Sequence, residues 1–231
     1  MDRGLYIAAS GMLTEQLRQK QIANDLANAS TPGYKADRTA QASFGDLVLA
    51  ESTTGATVGR QSLAVVADAV ETDFTPQPAR DTGEPLDFAI TGEGFFAVRT
   101  GEGVRYTRDG QFTVSPQGDL VTAQGDPVLG RGGQPVRVGP EGRVDPRAIG
   151  VVLLQGPRKA GDGLVDGTPG AAPGAAPGQV RAGALEGSGV EPATTMVDML
   201  ASLRAFEAGQ KAIQAIDDVL GKAANQVGSL Q

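Results

Sequence analysis

The chain has 231 residues, carries 20 Lys and Arg against 27 Asp and Glu for a formal net charge of −7, and contains no His, Cys or Trp. Without imidazoles or thiols it cannot form a disulfide, a His-based catalytic triad or a zinc finger, so any metal would need oxygen ligands alone. The acidic balance argues against nucleic-acid binding, which needs a concentrated basic face. We expect no cofactor, no metal, no small-molecule substrate and no enzymatic activity.

The N-terminal segment predicts an amphipathic helix. Residues 2–28 contain no Pro and only two glycines, and their apolar positions fall on one broad helical face. Pro32 and Gly33 then end the helix, because Pro restricts the residue before it and Gly follows directly. Six residues of this segment are expected to contact partner helices: Leu5, Met12, Leu13, Gln19, Ile22 and Leu26.

The centre of the chain predicts a mainly antiparallel β domain over residues 72–155, because short apolar runs alternate there with turn residues. Asp109-Gly110 predicts a hairpin turn with Tyr106 and Phe112 on one face, and Gln117-Gly118 predicts a second turn. The predicted strands are 86–90, 95–99, 104–107, 111–114, 119–122 and 135–138. Phe88, Phe95, Phe96, Tyr106 and Phe112 are the aromatic core candidates.

Two further segments are expected to lie outside this β domain. Residues 35–71 are expected to connect the N-terminal helix to it. Residues 156–184 contain a near-repeat of Gly, Ala and Pro between 169 and 178, with no large side chain to bury. This composition predicts a flexible loop.

The C-terminal segment, residues 185–231, predicts a long helix with a heptad pattern that begins near Pro192. The two apolar positions of the heptad are here called a and d. The residues at d are all large and apolar, whereas the residues at a become polar halfway along the helix. The residues of this seam are Met196, Met199, Leu203, Phe206, Gln210, Ile213, Asp217, Leu220 and Val227. A sustained seven-residue repeat indicates supercoiling against other helices. Pairing of the two terminal helices within one chain is the alternative.

Other patterns that could carry chemistry are weak. The glycine clusters at 92–94 and 130–133 complete neither a dinucleotide fingerprint nor a Walker A motif. Asp162 and Asp166 do not have the spacing of an EF-hand, and Asp in a Gly-rich loop usually forms turns. Glu71 and Asp73 could serve a glycosidase-like mechanism, although acidic neighbours are more often a solvated face.

Four ordered stretches resemble bacterial flagellar rod and hook proteins. The first, residues 23–35, is similar to the N-terminal signature of that family, and the motif positions within it are Asn24, Leu26, Ala27, Asn28, Thr31, Gly33 and Tyr34. The others are residues 90–98 and 106–110, which resemble the start of the family's β domain, and residues 185–207, which resemble its C-terminal helix. The resemblance covers nearly the whole chain except about residues 156–183.

The resemblance implies an α+β protein whose long N- and C-terminal helices form a coiled-coil region around a central β domain. It implies a structural subunit of the basal-body rod, the periplasmic drive shaft that transmits torque, which polymerises with copies of itself and other rod subunits. Residues 1–34 and 185–231 would carry this assembly. It also implies export by the flagellar type III apparatus. This agrees with the start of the chain, which lacks a cleavable signal and any membrane span.

Within the family, the sequences at residues 28–33, 82–87 and 185–192 resemble proximal rod members more than distal rod members. A distal rod member is the nearer alternative. The rivals from other classes are a periplasmic cell-wall-modifying enzyme with helical docking ends and a secretion chaperone or cap protein. The enzyme requires a carboxylate whose replacement abolishes activity.

Overall fold

A computed structural model describes residues 3–50, 57–170 and 177–228, with side chains over 4–38, 71–170 and 177–222. Its contacts divide the chain into two compact units. The first, here the helical unit, comprises Met1–Leu26, Asp37–Glu71 and Pro192–Gln231; the second, the β unit, comprises Ala27–Ala36 and Thr72–Glu191. Two long helices and predominantly antiparallel strands confirm the α+β class.

The helical unit contains α1 (Arg3–Ala27) and α2 (Pro192–Gly228). Both predicted helices are therefore confirmed, and Pro192 is the first residue of α2, where its missing N–H costs nothing. At 1.5 Å per residue, the 37 residues of α2 span roughly 55 Å. No described helix combines the length and apolarity needed to cross a membrane.

The helical unit also contains two long strands, which corrects the prediction of a mere connecting segment over residues 35–71. Strands β1 (Asp37–Ala50) and β2 (Thr57–Thr72) pair with each other in a two-stranded sheet. Val and Thr recur in β2, and β-branched residues favour the extended backbone. The connection between the two strands lies outside the described residues.

The β unit contains twelve described strands and one short 3₁₀ helix, Pro146–Ala148. The strands are β3 (Ala79–Asp81), β4 (Phe88–Thr91), β5 (Phe95–Thr100), β6 (Gly103–Thr107), β7 (Thr113–Val114), β8 (Leu120–Val121), β9 (Val128–Leu129), β10 (Val151–Val152), β11 (Leu154–Gly161), β12 (Leu164–Pro169), β13 (Gln179–Ala182) and β14 (Ala184–Glu186). The largest sheet has the order β10-β5-β6-β12-β11, with β9 also paired to β5. The pairs β13-β4, β14-β3 and β7-β8 complete the described pairings of this unit, and all of them are antiparallel.

The core of the β unit consists of two apolar clusters. Phe88, Phe96 and Phe112 belong to the larger cluster, whereas Phe95 and Tyr106 belong to the smaller one. Phe95 and Phe96 separate because successive side chains of a strand point to opposite faces. All five aromatic core candidates are buried, so their predicted burial is confirmed.

The predicted hairpin at Asp109-Gly110 is wrong. Strand β6 pairs with β5 and β12, whereas β7 pairs with β8, so Tyr106 and Phe112 lie in different clusters and not on one hairpin face. Gly110 instead lies against the backbone of Phe88, whose N–H donates to the Gly110 carbonyl at 3.0 Å. A Cβ at position 110 would overlap that backbone, so the glycine is needed for close approach.

The turn predicted at Gln117-Gly118 is confirmed. It joins β7 to β8, the Gly118 N–H donates to the Ser115 carbonyl at 2.9 Å, and Gly118 has a left-handed φ of 84°. The predicted strand 135–138 forms only isolated bridges, which pair Pro135 with Leu129 and Arg137 with Asp119.

The flexible loop predicted over 156–184 is wrong for most of its length. Strands β11 and β12 form an antiparallel pair there, and β12 adds Val165 to the smaller core cluster by pairing beside Tyr106. Strand β13 pairs with β4 over its whole length. Pairing with distant strands therefore overrides the weak local propensity of Gly and Pro. Residues 171–176 of that predicted loop lie outside the described residues.

Candidate functional site

The two helices contact each other along one face, here the inner face. The Ser202 hydroxyl donates to the Glu15 carboxylate at 2.6 Å, and Ser202 is fully buried. A Cβ placed on Gly209 would lie 2.7 Å from Met12 Cγ, so glycine permits close approach at that level. Met12 of α1 lies near Gly209 of α2, and Glu15 of α1 contacts Ser202 of α2. Residue numbers therefore increase along α1 in the direction in which they decrease along α2. The two helices therefore run antiparallel.

The seam predicted on α2 is divided between two faces. Its d positions Met199, Phe206 and Ile213 are half-buried, together with Thr195, Gly209 and Ile216 on the same side of the helix. Four of its other positions, Met196, Leu203, Gln210 and Asp217, are exposed. Leu220 is also exposed, and the side chain of Val227 lies outside the described ones. The predicted seam is thus partly an intramolecular contact.

An exposed apolar stripe, here the outer stripe of α2, remains beside the inner face. Met196, Leu200 and Leu203 lie at i, i+4 and i+7, and their exposed fractions are 53%, 56% and 41%. This spacing places them along one side of the helix. Leu200 was not among the predicted contact residues, although its position completes the stripe.

The predicted contact residues of α1 divide in the same way. Met12, Gln19, Ile22 and Leu26 are half-buried, whereas Leu5 and Leu13 are exposed. Tyr6, Leu13 and Leu17 form the outer stripe of α1, with exposed fractions of 65%, 63% and 53%. Tyr6 and Leu17 were not predicted, although their spacing of seven and four residues around Leu13 was the available signal.

A compact junction in the β unit holds the residues that follow α1 and those that precede α2. The Ser188 hydroxyl donates to the Asn28 carbonyl at 2.9 Å, and the Gly189 N–H donates to the Tyr34 carbonyl at 2.8 Å. Asn28 also accepts from Thr31 through both its carbonyl and its side chain, which forms the turn after α1. Five residues of the N-terminal and C-terminal motifs therefore meet here. Of the other motif positions, Asn24 and Ala27 are exposed on α1 and Leu26 is half-buried.

Gly33 is the tightest point of this junction. It has a left-handed φ of 65°, and its N–H donates to the Glu186 carbonyl at 3.0 Å. A Cβ at this position would overlap the backbone of Arg108. Both the conformation and the space around it require glycine.

Three buried charged side chains, here the junction cluster, lie at the centre of the junction: Lys35, Arg108 and Glu186. Lys35 Nζ lies 2.7 Å from Glu186 Oε1, and Arg108 Nη1 lies 2.8 Å from Glu186 Oε2. Their side-chain exposures are 3%, 2% and 1%. One carboxylate therefore compensates two cations almost completely removed from water.

Neutral backbone groups satisfy most of the remaining bonding capacity of the cluster. Lys35 Nζ donates to the Thr75 carbonyl at 2.7 Å, Arg108 Nη2 donates to the Gly92 carbonyl at 2.8 Å, and the Gln77 N–H donates to Glu186 Oε1 at 2.9 Å. Burial lowers the pKa of Lys35, while its hydrogen bond and charge interaction with Glu186 raise it in partial opposition. Breaking such a cluster leaves an uncompensated buried charge, which costs about 3–5 kcal/mol.

All four sequence stretches that carry the family resemblance converge on this cluster. Lys35 belongs to the first, Gly92 to the second, Arg108 to the third and Glu186 to the fourth. Sequence reasoning placed these residues in motifs but missed the ion cluster, because its members are separated by up to 151 residues.

The fold and the site define a class of protein: a pair of long helices with exposed apolar stripes, in a chain that also has a well-packed β unit, is typical of a structural protein that associates through helices. The comparisons agree. The first part of the chain matches the "Flagella basal body rod protein" family over residues 5–35. The centre matches "Flagellar hook protein FlgE/F/G D1 domain" over 89–151, and the end matches "Flagellar basal body rod FlgEFG protein C-terminal" over 181–227.

Full-length relatives give the same result. The chain is 34% identical to the flagellar basal-body rod protein FlgF of Caulobacter vibrioides and 32% identical to that of Salmonella typhimurium, with all of each chain covered. It is 31% identical to the rod protein FlgG of Bacillus subtilis, over 97% of this chain and 99% of that protein. The chain therefore belongs to the flagellar basal-body rod protein family, and the resemblance inferred from its motifs is confirmed.

Proposed function

We propose that the chain is a structural, non-enzymatic subunit of the bacterial flagellar basal-body rod, of the FlgF or proximal type, and that it polymerises through its terminal helices. Membership of the rod family and the similarity to FlgF proteins support this over the rival enzyme class. The subunit would assemble with copies of itself and with other rod subunits in the periplasmic space. Export by the flagellar type III apparatus without a cleaved signal is part of the same proposal.

The observation that carries the proposal is the outer stripe on each helix. The inner faces are already used within the chain, yet six large side chains remain exposed along the two outer stripes. Burying each of them against a neighbour would contribute roughly 1.5–3 kcal/mol, before the cost of association. The stripes are therefore the surfaces with the most to gain from assembly.

The functional segments of the chain follow from this division. Residues 3–30 and 193–228 would form the coiled-coil contacts between neighbouring subunits, with the β unit between them in sequence. Of the originally predicted contact residues, the exposed ones on the outer stripes, Leu13, Met196 and Leu203, would contact neighbours, whereas Met12, Phe206 and Ile213 would hold the helix pair.

Cysteine cross-linking tests the proposal, because the native chain has no cysteine. The outer-stripe variant Leu13→Cys/Leu203→Cys places one thiol on each helix. Oxidation in intact flagellated cells is expected to give a ladder of covalent oligomers, because each subunit can link to two neighbours.

The matched control is the inner-face variant Met12→Cys/Gly209→Cys. These positions approach each other within one chain, so oxidation should give only an internally closed monomer. Leu13→Cys alone should stop at dimers. A ladder from the inner-face variant, or only closed monomers from the outer-stripe variant, would contradict assembly through the outer stripes.

A further inference from the structure

The junction cluster is placed where the chain leaves both helices. Lys35 follows the end of α1 by eight positions, and Glu186 precedes the start of α2 by six. Glu186 alone receives bonds from Lys35 and Arg108 through its carboxylate and from Gly33 through its carbonyl. The segment that follows α1 and the segment that precedes α2 are thus joined through one buried residue.

The carboxylate of Glu186 is what allows both cations to be buried. It bonds Lys35 and Arg108 at 2.7 Å and 2.8 Å. Without it, burying these two side chains beside each other would remove two cations from water and leave them without the anion that bonds both. Such burial is strongly unfavourable, so the junction opens when this carboxylate is replaced.

When the junction is closed, only a few residues separate its bonded pairs from the two helices. Helix pairing then no longer has to bring distant parts of the chain together. In the closed state Asn28 is bonded to Ser188 and Tyr34 to Gly189, across a chain separation of 160 residues for the first pair. The entropy of bringing distant segments together has then already been lost before α1 and α2 meet. When the junction is open, the pairing of the helices must itself offset this loss of entropy.

We propose that Glu186 is a positioning residue for assembly: by closing the junction cluster, it joins the segment that follows α1 to the segment that precedes α2 and so favours the paired state of the terminal helices. This inference rests on the proposed function, since it concerns the same helices. It predicts that the cluster governs assembly while the core of the β unit folds without it.

The test replaces the carboxylate in the outer-stripe cysteine variant of the full chain, as Glu186→Gln. Hydrogen exchange at residues 31–36 and 186–190 should become about a hundredfold faster, because both buried cations lose the carboxylate that bonds them. Exchange in β4 and β5 should change far less, because the two apolar clusters still hold these strands. Cross-linked species larger than dimers should fall at least about tenfold, because fewer subunits present the closed helix pair.

A second variant separates charge compensation from general damage. Glu186→Gln/Lys35→Met removes one cation together with the anion, so part of the lost exchange protection and part of the ladder should return relative to Glu186→Gln alone. The control is Glu102→Gln, whose carboxylate is 83% exposed and pairs with Arg105 at 3.4 Å. This change should alter neither measurement.

Three results would overturn the inference: a full ladder from Glu186→Gln despite a fast-exchanging junction, unfolding of the β core together with the junction, or no recovery in the double variant. Failure of the proposed function is distinguishable. In that case the parent cysteine variant itself gives no ladder, while the exchange measurement still decides whether Glu186 closes the junction.

Discussion

Gly33 shows how a single residue sets the path of the chain after α1. Some glycines, such as Gly132, have open space around them and no left-handed φ, but Gly33 combines a left-handed φ of 65° with contact against the Arg108 backbone. Its N–H also holds the Glu186 carbonyl, so a shift there is passed directly to the junction cluster. The glycine of the family motif is therefore required for backbone approach at the junction, and its replacement has a predictable cost.

We expect Gly33→Ala to lower the free energy of unfolding of the β unit by at least about 2 kcal/mol, because the left-handed backbone alone costs 1–2 kcal/mol and the methyl overlaps fixed backbone. Denaturant unfolding followed by tyrosine fluorescence measures this. Gly132→Ala is the control, since no neighbouring atom lies within 4 Å of that position. Equal losses for the two variants would contradict the role assigned to Gly33.

At the scale of the element, each terminal helix has one half-buried apolar face and one exposed apolar stripe. On α2 the inner face meets Glu15 and Met12 of α1, whereas the side chains of the outer stripe are 41–56% exposed. A charge introduced on the outer stripe should therefore affect association without affecting the fold of the subunit.

Leu200→Glu is expected to abolish assembly, because the carboxylate would have to be buried without a partner in the contact between subunits. The ladder from the outer-stripe cysteine pair should fall at least about tenfold, whereas the circular dichroism and melting temperature of the isolated subunit stay unchanged. Ala201→Glu, at an exposed position beside the stripe, is the control and should assemble normally. Normal assembly of Leu200→Glu would show that this stripe is not a contact surface.

The elements differ in how far the sequence determines them. The helix limits could be predicted closely because Pro192 suits the first turn of α2 and Pro32 lies only five residues after the end of α1. The two faces could not be separated, because Met199 and Leu203 lie close together on α2 and a single heptad describes both. Strand β13 could not be predicted from its local sequence, because its stability comes from pairing with β4, which lies about 90 residues earlier in the chain.

The candidate site could be predicted only in part, for the same reason. Apolar periodicity is a local property, so it predicted the two terminal helices, which the structure confirms. The ion cluster depends on the path of the whole chain: Lys35 and Glu186 become neighbours only after the β unit between them has folded. The motifs that contain these residues could be recognised in the sequence, but their pattern did not indicate that the residues form a buried ion cluster.

At the scale of the whole molecule, stability should differ between the two units. The β unit has two buried apolar clusters and the junction cluster, whereas the described side chains of α1 and α2 are mostly exposed or half-buried. A long helix pair with little buried surface opens easily, because helical stability in proteins comes mainly from packing. Before assembly, the helices should therefore open far more often than the β unit.

Limited trypsin digestion of the soluble monomer tests this difference. Cleavage is expected first in the helices, at Arg18 and Lys20 and then at Arg204 and Lys211, and mass spectrometry should show a lasting fragment that contains the β unit. The exposed Arg131, Arg137 and Arg143 of that unit provide an internal control of equal chemistry, since cleavage also requires local opening.

In assembled rods the helical sites should be protected, because neighbours cover the outer stripes. Early cleavage within 131–143, or helices as resistant as the β unit in the monomer, would show that stability is not divided in this way.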